Sequence, residues 1–191
     1  MIHFFRRLFL NPNRNGAILT GDEIKRQIKK GRIRISGYIP ENMNPNSYNI
    51  CCGRTVRVYK DIGIIDLKNK DTFSEVETFD IDPDEGFILR PGMLYLIPTR
   101  EYIQTDYFEP IITGRSSIGR LGISIHQEAG FGDIGFAGVM TMQLKVTYPT
   151  RIYPFMPIAQ IYFLTPRGKI ATLYNGKYKW ANYAVPSRLG D

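Results

Sequence analysis

Val139-Met140-Thr141-Met142-Gln143-Leu144-Lys145-Val146 alternates large apolar side chains with polar or β-branched ones, the period-two pattern of a half-buried strand. Working outward from it, short alternating or β-branched runs recur at residues 55–59, 63–67, 86–89, 94–98, 122–126 and 159–164, so the chain reads as all-β from Ile33 onward. Arg90-Pro91-Gly92-Met93 and Tyr153-Pro154-Phe155-Met156-Pro157 punctuate the pattern as turns that precede strands. Ahead of the strands, Thr20 can cap a helix with Asp22 and Glu23 in its first turn, where the dipole favours anions. Lys29, Lys30 and Gly31 end that helix, and Ile24 and Ile28 share one face of it. No Gly/Ser linker, low-complexity tract or repeat divides the chain. One β-sandwich or barrel-like domain with a helical start is expected, with a cupin-like jelly roll as an alternative.

A chain of 191 residues suits one domain with a core of its own. The two cysteines, Cys51 and Cys52, are adjacent, which suits neither a long-loop disulfide nor a structural zinc site; they read as reduced thiols. No apolar run approaches the roughly 20 residues that span a bilayer, and residues 1–10 (MIHFFRRLFL) carry Arg6 and Arg7 with no cleavage-like site after them. A soluble, cytoplasmic protein is the expectation, its opening decapeptide an interfacial anchor or a segment that packs on a neighbour or frays.

The net charge of +7 is unevenly spread: residues 1–34 hold nine Lys/Arg against two Asp/Glu, residues 35–144 nine against fifteen, and residues 145–191 seven against one. A basic balance invites a nucleic-acid reading, yet no stretch interleaves aromatics with dense Lys/Arg, so no nucleic acid is expected. A polyanionic small ligand gathered by the tail fits as well.

Two glycine-flanked motifs carry the chemistry. Gly114-Arg115-Ser116-Ser117-Ile118-Gly119-Arg120 sets two guanidinium groups and two hydroxyls in one turn, a composition suited to phosphate, although a solvated basic turn has the same composition. Thirteen residues past Arg120 lies Asp133, in Ala129-Gly130-Phe131-Gly132-Asp133-Ile134-Gly135-Phe136-Ala137-Gly138, lean backbone that can crowd a flat ring. Asp133 there can orient and deprotonate water, or simply satisfy local turn amides. His126 and His3 are the only histidines; no third ligand accompanies His126, which reads as a hydrogen-bonded strand residue.

After residue 18 the chain resembles the dCTP deaminase branch of the dUTPase superfamily. The resemblance rests on Thr20-Gly21-Asp22-Glu23-Ile24, Gly31-Arg32-Ile33-Arg34-Ile35, Asn44-Pro45-Asn46-Ser47-Tyr48, Arg90-Pro91-Gly92, Thr99-Arg100-Glu101-Tyr102 and the two motifs above, in order. Gly176-Lys177-Tyr178 and Pro186-Ser187-Arg188 resemble the family's mobile C-terminal segment. The resemblance implies a distorted jelly roll (a β-clip) over 19–173, a separate extension at 1–18, and a tail at 174–191 that closes over substrate. It further implies a homotrimer with sites at subunit interfaces, dUTP or dCTP as ligand, and Mg²⁺ bound through the triphosphate. By position, Arg115, Ser116, Ser117 and Arg120 grip phosphates, and Asp133 holds the deoxyribose and helps to activate water. Thr141, Met142 and Gln143 lie along the base with Gln160 nearby, and Tyr174 and Lys177 close over the triphosphate.

Four positions depart from the family pattern. Gln143 stands where the deaminases carry a glutamate that shuttles protons, and an amide cannot take one. Glu128 stands where Thr is usual, a carboxylate that could serve as base in its place or accept from a cytosine amino group. Asn49 replaces an Asp, and Ala181 a Gln. The expected activity is therefore hydrolysis of dUTP to dUMP and diphosphate. The alternatives are dCTP deamination through Glu128 and a non-catalytic, nucleotide-binding or structural trimer.

Overall fold

The computed structural model describes residues 17–60 and 62–190; the readings made on residues 1–16 lie outside them. Helix α1 (Gly21–Lys29) starts at the Thr20 cap, whose hydroxyl accepts the Glu23 N–H at 3.3 Å, and it ends with Lys30 as its C-cap. Ile24 is fully buried and Ile28 packs on the same core, a placement that contributes about 1.5–3 kcal/mol for the larger burial.

Eleven strands follow. The largest sheet runs β4 (Val76–Asp80), β3 (Thr55–Tyr59), β6 (Tyr95–Gln104), β9 (Ala137–Val146) and β8 (Ile123–Ser124), with β1 (Arg34–Ile35) also on β6. A second sheet holds β2 (Tyr48–Cys51), β11 (Pro157–Leu164) and β7 (Glu109–Gly114), and β5 (Phe87–Leu89) pairs with β10 (Thr150–Ile152). All of these pairings are antiparallel. The core includes Tyr48, Ile50, Ile97, Ile103, Leu144 and Ile161, drawn from both larger sheets, the arrangement of a distorted jelly roll.

The long central strands form where the apolar alternation is strongest, and one expected strand is absent. Residues 63–67 are not a strand: Tyr59 pairs directly with Val76 and the Lys60 N–H donates to the Glu75 carbonyl, which leaves 62–74 off the sheet. Ile64 is 89% exposed there, so its β-branched neighbours have no sheet to join. Likewise, of residues 122–126 only Ile123 and Ser124 pair, and His126 lies beyond the strand, after a bend at Ile125. Its Nδ1 is buried and has no partner among the described residues, so the expected hydrogen bond is not made. Cys51 and Cys52 are buried free thiols, and burial pushes the Cys51 thiol up to about 11.

A bulge in β6, between Pro98 and Tyr102, ties the two larger sheets together. Thr99 Oγ1 donates to the Glu101 carbonyl at 2.8 Å and accepts the Met140 N–H at 2.9 Å. Glu101, 1% exposed, reaches β2 and accepts the Cys51 N–H at 3.0 Å. No described helix is long and apolar enough to cross a membrane.

Candidate functional site

Asp133 and Gln143 line one pocket of about 440 Å³, beside Thr141, Phe131, Phe136 and Tyr174. Its floor is β9, whose open edge lies before the short β8 pairing begins. The glycines of the Asp133 segment prove to crowd protein backbone. A Cβ on Gly132 would fall 2.7 Å from the Pro110 carbonyl oxygen, and the Gly132 N–H donates to that oxygen at 2.9 Å. The segment thus adds to the free edge of β7, with Phe131 bridged to Ile111. Lean backbone there packs on β7, and Ala129 and Gly132 also line the pocket beside Asp133.

The tail supplies the opposite wall. Its residues follow the open edge of β9: the Tyr174 N–H donates to the Ile134 carbonyl, the Val139 N–H to the Ala181 carbonyl, and the Val185 N–H to Thr141 Oγ1 at 2.9 Å. The Ser187 N–H then reaches Tyr59 Oη at 2.8 Å, while the Arg57 guanidinium lies 4.5 Å from the centre of the Tyr183 ring. Ala181 acts here through its backbone, so the missing side-chain amide does not prevent docking. Gly135, at φ +93°, leaves the room: a Cβ would stand 2.8 Å from the Tyr174 nitrogen.

The residues expected to act together fall into two groups. None of Arg115, Ser116, Ser117 and Arg120 lines the pocket. They form the helical turn α2 (Ser116–Gly119) and its caps at the end of β7, with both serines and Arg120 exposed. Arg115 is half-buried, and its Nη1 donates to the Pro157 carbonyl at 2.6 Å. Gln160 belongs with this group: it accepts from Ser47 Oγ at 2.9 Å and donates to the Gly114 carbonyl at 3.1 Å, joining the Asn44-to-Tyr48 motif to the serine loop. Asn49 takes part in the same network, accepting from Asn44 Nδ2 at 3.0 Å.

Within the pocket, strand alternation sorts the β9 residues. Thr141 and Gln143 face the cavity, whereas Met142 is 1% exposed and belongs to the core, away from the base position expected for it. Glu128 is exposed in the bend beside Ala129, which does line the cavity, but Glu128 itself does not. Lys177 is exposed and its Nζ donates to the Arg188 carbonyl, back onto the tail. Tyr178 and Ser187, from the two tail motifs, line the pocket, and sequence reading missed Tyr59 and Val185, which join them where the tail folds back on the sheet.

Among the described residues no three His, Cys, Asp or Glu converge on a point. Asp133 is the sole carboxylate of the pocket lining. Such a donor set suits a divalent ion that takes most of its oxygen ligands from phosphate and water.

A jelly-roll-like β fold thus carries a pocket walled by apolar, aromatic and polar residues, with an Arg/Ser loop apart from its lining. A family profile described as dCTP deaminase-like matches residues 18–165, and the chain belongs to that family. It is 41% identical over 172 residues, 90% of its length and 95% of the relative's, to the protein of Leptospira biflexa serovar Patoc named "dCTP deaminase, dUMP-forming". A Clostridium botulinum (strain Alaska E43 / Type E3) protein of the same name is 43% identical, with 90% and 96% covered. The solved 2'-deoxycytidine 5'-triphosphate deaminase of Agrobacterium tumefaciens shares the fold at a TM-score of 0.62 and 20% identity, over 80% of this chain and 49% of that one; the chain spans about half the length of that structure.

Proposed function

We propose that this chain is a pyrimidine deoxynucleoside triphosphate diphosphatase that converts dUTP to dUMP and diphosphate. The observation that carries the reading is one pocket holding Asp133 as its carboxylate and Gln143 where a deaminating relative needs a proton-shuttling glutamate. Asp133 accepts a hydrogen bond from water, orients it toward the α-phosphorus and takes its proton as the bond to the leaving diphosphate breaks. A positioned base of this kind contributes about 10²–10⁴ in rate. Arg115 and Arg120 hold the phosphates, with the Ser116 and Ser117 hydroxyls as further donors, and Tyr174 and Lys177 close from the tail. Mg²⁺ bound through the triphosphate would offset its charge. The chemistry is mostly positioning, which a rigid β9 floor and a docked tail favour.

The Arg/Ser loop does not line the Asp133 pocket of its own chain, which supports a site completed by another copy. A homotrimer with sites between subunits supplies that copy, the loop of one subunit reaching the pocket of the next.

A second reading is favoured by the names of the relatives and by a carboxylate new to this loop: Glu128 supplies the missing base and dCTP is deaminated. Incubation of the purified protein with dUTP and dCTP plus Mg²⁺, with nucleotides, diphosphate and ammonia resolved, separates the readings. dUMP and diphosphate from dUTP support the proposal; ammonia from dCTP without dUTP cleavage favours the second; binding without product leaves a non-catalytic trimer. In the second case Glu128→Gln abolishes ammonia release, and unchanged release removes Glu128 from the chemistry.

A further inference from the structure

We infer that Gln143 is a specificity-determining residue that presents an amide donor to the base and so selects 4-oxopyrimidines over 4-aminopyrimidines. The inference rests on the reading of this pocket as the pyrimidine site and names what that site prefers.

The orientation of the amide follows from its neighbour. The Gln127 backbone N–H can only donate, and it lies 3.3 Å from the Gln143 side-chain oxygen, so that atom is the Oε1 acceptor. A second contact holds the pair, Gln127 Nε2 donating to the Gln143 carbonyl at 3.2 Å. The backbone beneath is fixed by pairing with Leu96 and by the Gln143 N–H, which donates to the Ile125 carbonyl at 2.9 Å. Oε1 thus has one of its two lone pairs engaged, whereas Nε2 has both hydrogens free, since no described residue accepts from it. A glutamate here could meet the same N–H and still offer the pocket an acceptor; this chain offers a donor instead.

A 4-oxopyrimidine brings an acceptor oxygen to such a group, whereas a 4-aminopyrimidine brings an amino group, donor against donor. Leu96, Ile112, Phe136, Val139 and Met140 supply much of the surrounding wall, so a seated base leaves the half-buried Gln143 amide little water. Leaving one buried polar group unpaired corresponds to about 10- to 100-fold in affinity.

The test is calorimetric titration of the full chain with the α,β-imido analogues of dUTP and dCTP, beside Gln143→Glu. The wild type is expected to bind the dUTP analogue about 10- to 100-fold more tightly, and Gln143→Glu to abolish or invert the preference. Equal binding by the wild type, or an unchanged preference in Gln143→Glu, overturns the inference. Tight, selective binding of the dUTP analogue with no cleavage of dUTP itself upholds the selectivity while removing the hydrolase reading. If neither analogue binds, the pocket is not the pyrimidine site and both fall.

Discussion

Glu101 shows how one buried carboxylate holds the two larger sheets in register. Burial raises its pKa above the ordinary glutamate range, against the lowering effect of the Cys51 N–H it accepts. A raised folded value means that the folded state binds the proton more tightly than the unfolded chain. The stability that this proton contributes is fully present below the unfolded pKa and is lost as pH rises through the folded one. Glu101→Gln keeps an acceptor for Cys51 and removes the titration, so its melting temperature is expected to fall less than that of the wild type between pH 4 and pH 7. Parallel melting curves across that range would exclude the effect. At the pocket, the roles of Gln143 and Met142 differ because adjacent strand residues face opposite ways. A family position was legible in the sequence for each, but their facing had to come from the register of β9 on β6.

At the scale of elements, the helix was legible almost to the residue, because its cap, its acidic first turn and its Ile24–Ile28 face all agree. Thr20→Ala removes the cap and is expected to cost about 1 kcal/mol, a melting shift of a few degrees read by calorimetry. Residues 63–67 illustrate the opposite case: local β propensity is satisfied only when a neighbouring strand is within reach, and the β3–β4 pairing excludes this segment. The docking of the tail on β9 was equally hidden. Many of its contacts are backbone hydrogen bonds, to Ile134, Ala137 and Val139 among others, which any side-chain pattern leaves unmarked. Gly135→Ala places a Cβ into the Tyr174 backbone and is expected to raise amide exchange across residues 174–188 at least several-fold, while core strands stay protected. Unaltered exchange in the tail would show that it docks elsewhere in solution.

For the whole molecule, the separation of the Arg/Ser loop from the Asp133 pocket is the feature with the widest consequence. Both motifs could be read from sequence, and the family resemblance implied sites between subunits; spacing along the chain did not, since it says little about distance across a fold. If sites form between copies, Asp133→Asn and Arg115→Ala chains are each inactive alone, yet mixed assemblies recover part of the wild-type rate, because some sites draw both intact residues from different chains. No recovery on co-expression would place the whole site within one chain. The positive excess at the tail suits a triphosphate arriving at this pocket. The central claim, that Asp133 drives diphosphate release from dUTP, is tested most directly by the steady-state rate of dUMP formation with Mg²⁺ for the wild type beside Asp133→Asn. Asp133→Asn is expected to lower kcat by about 10²–10⁴ with KM changed little; dUMP formation by Asp133→Asn at the wild-type rate would remove Asp133 from the chemistry.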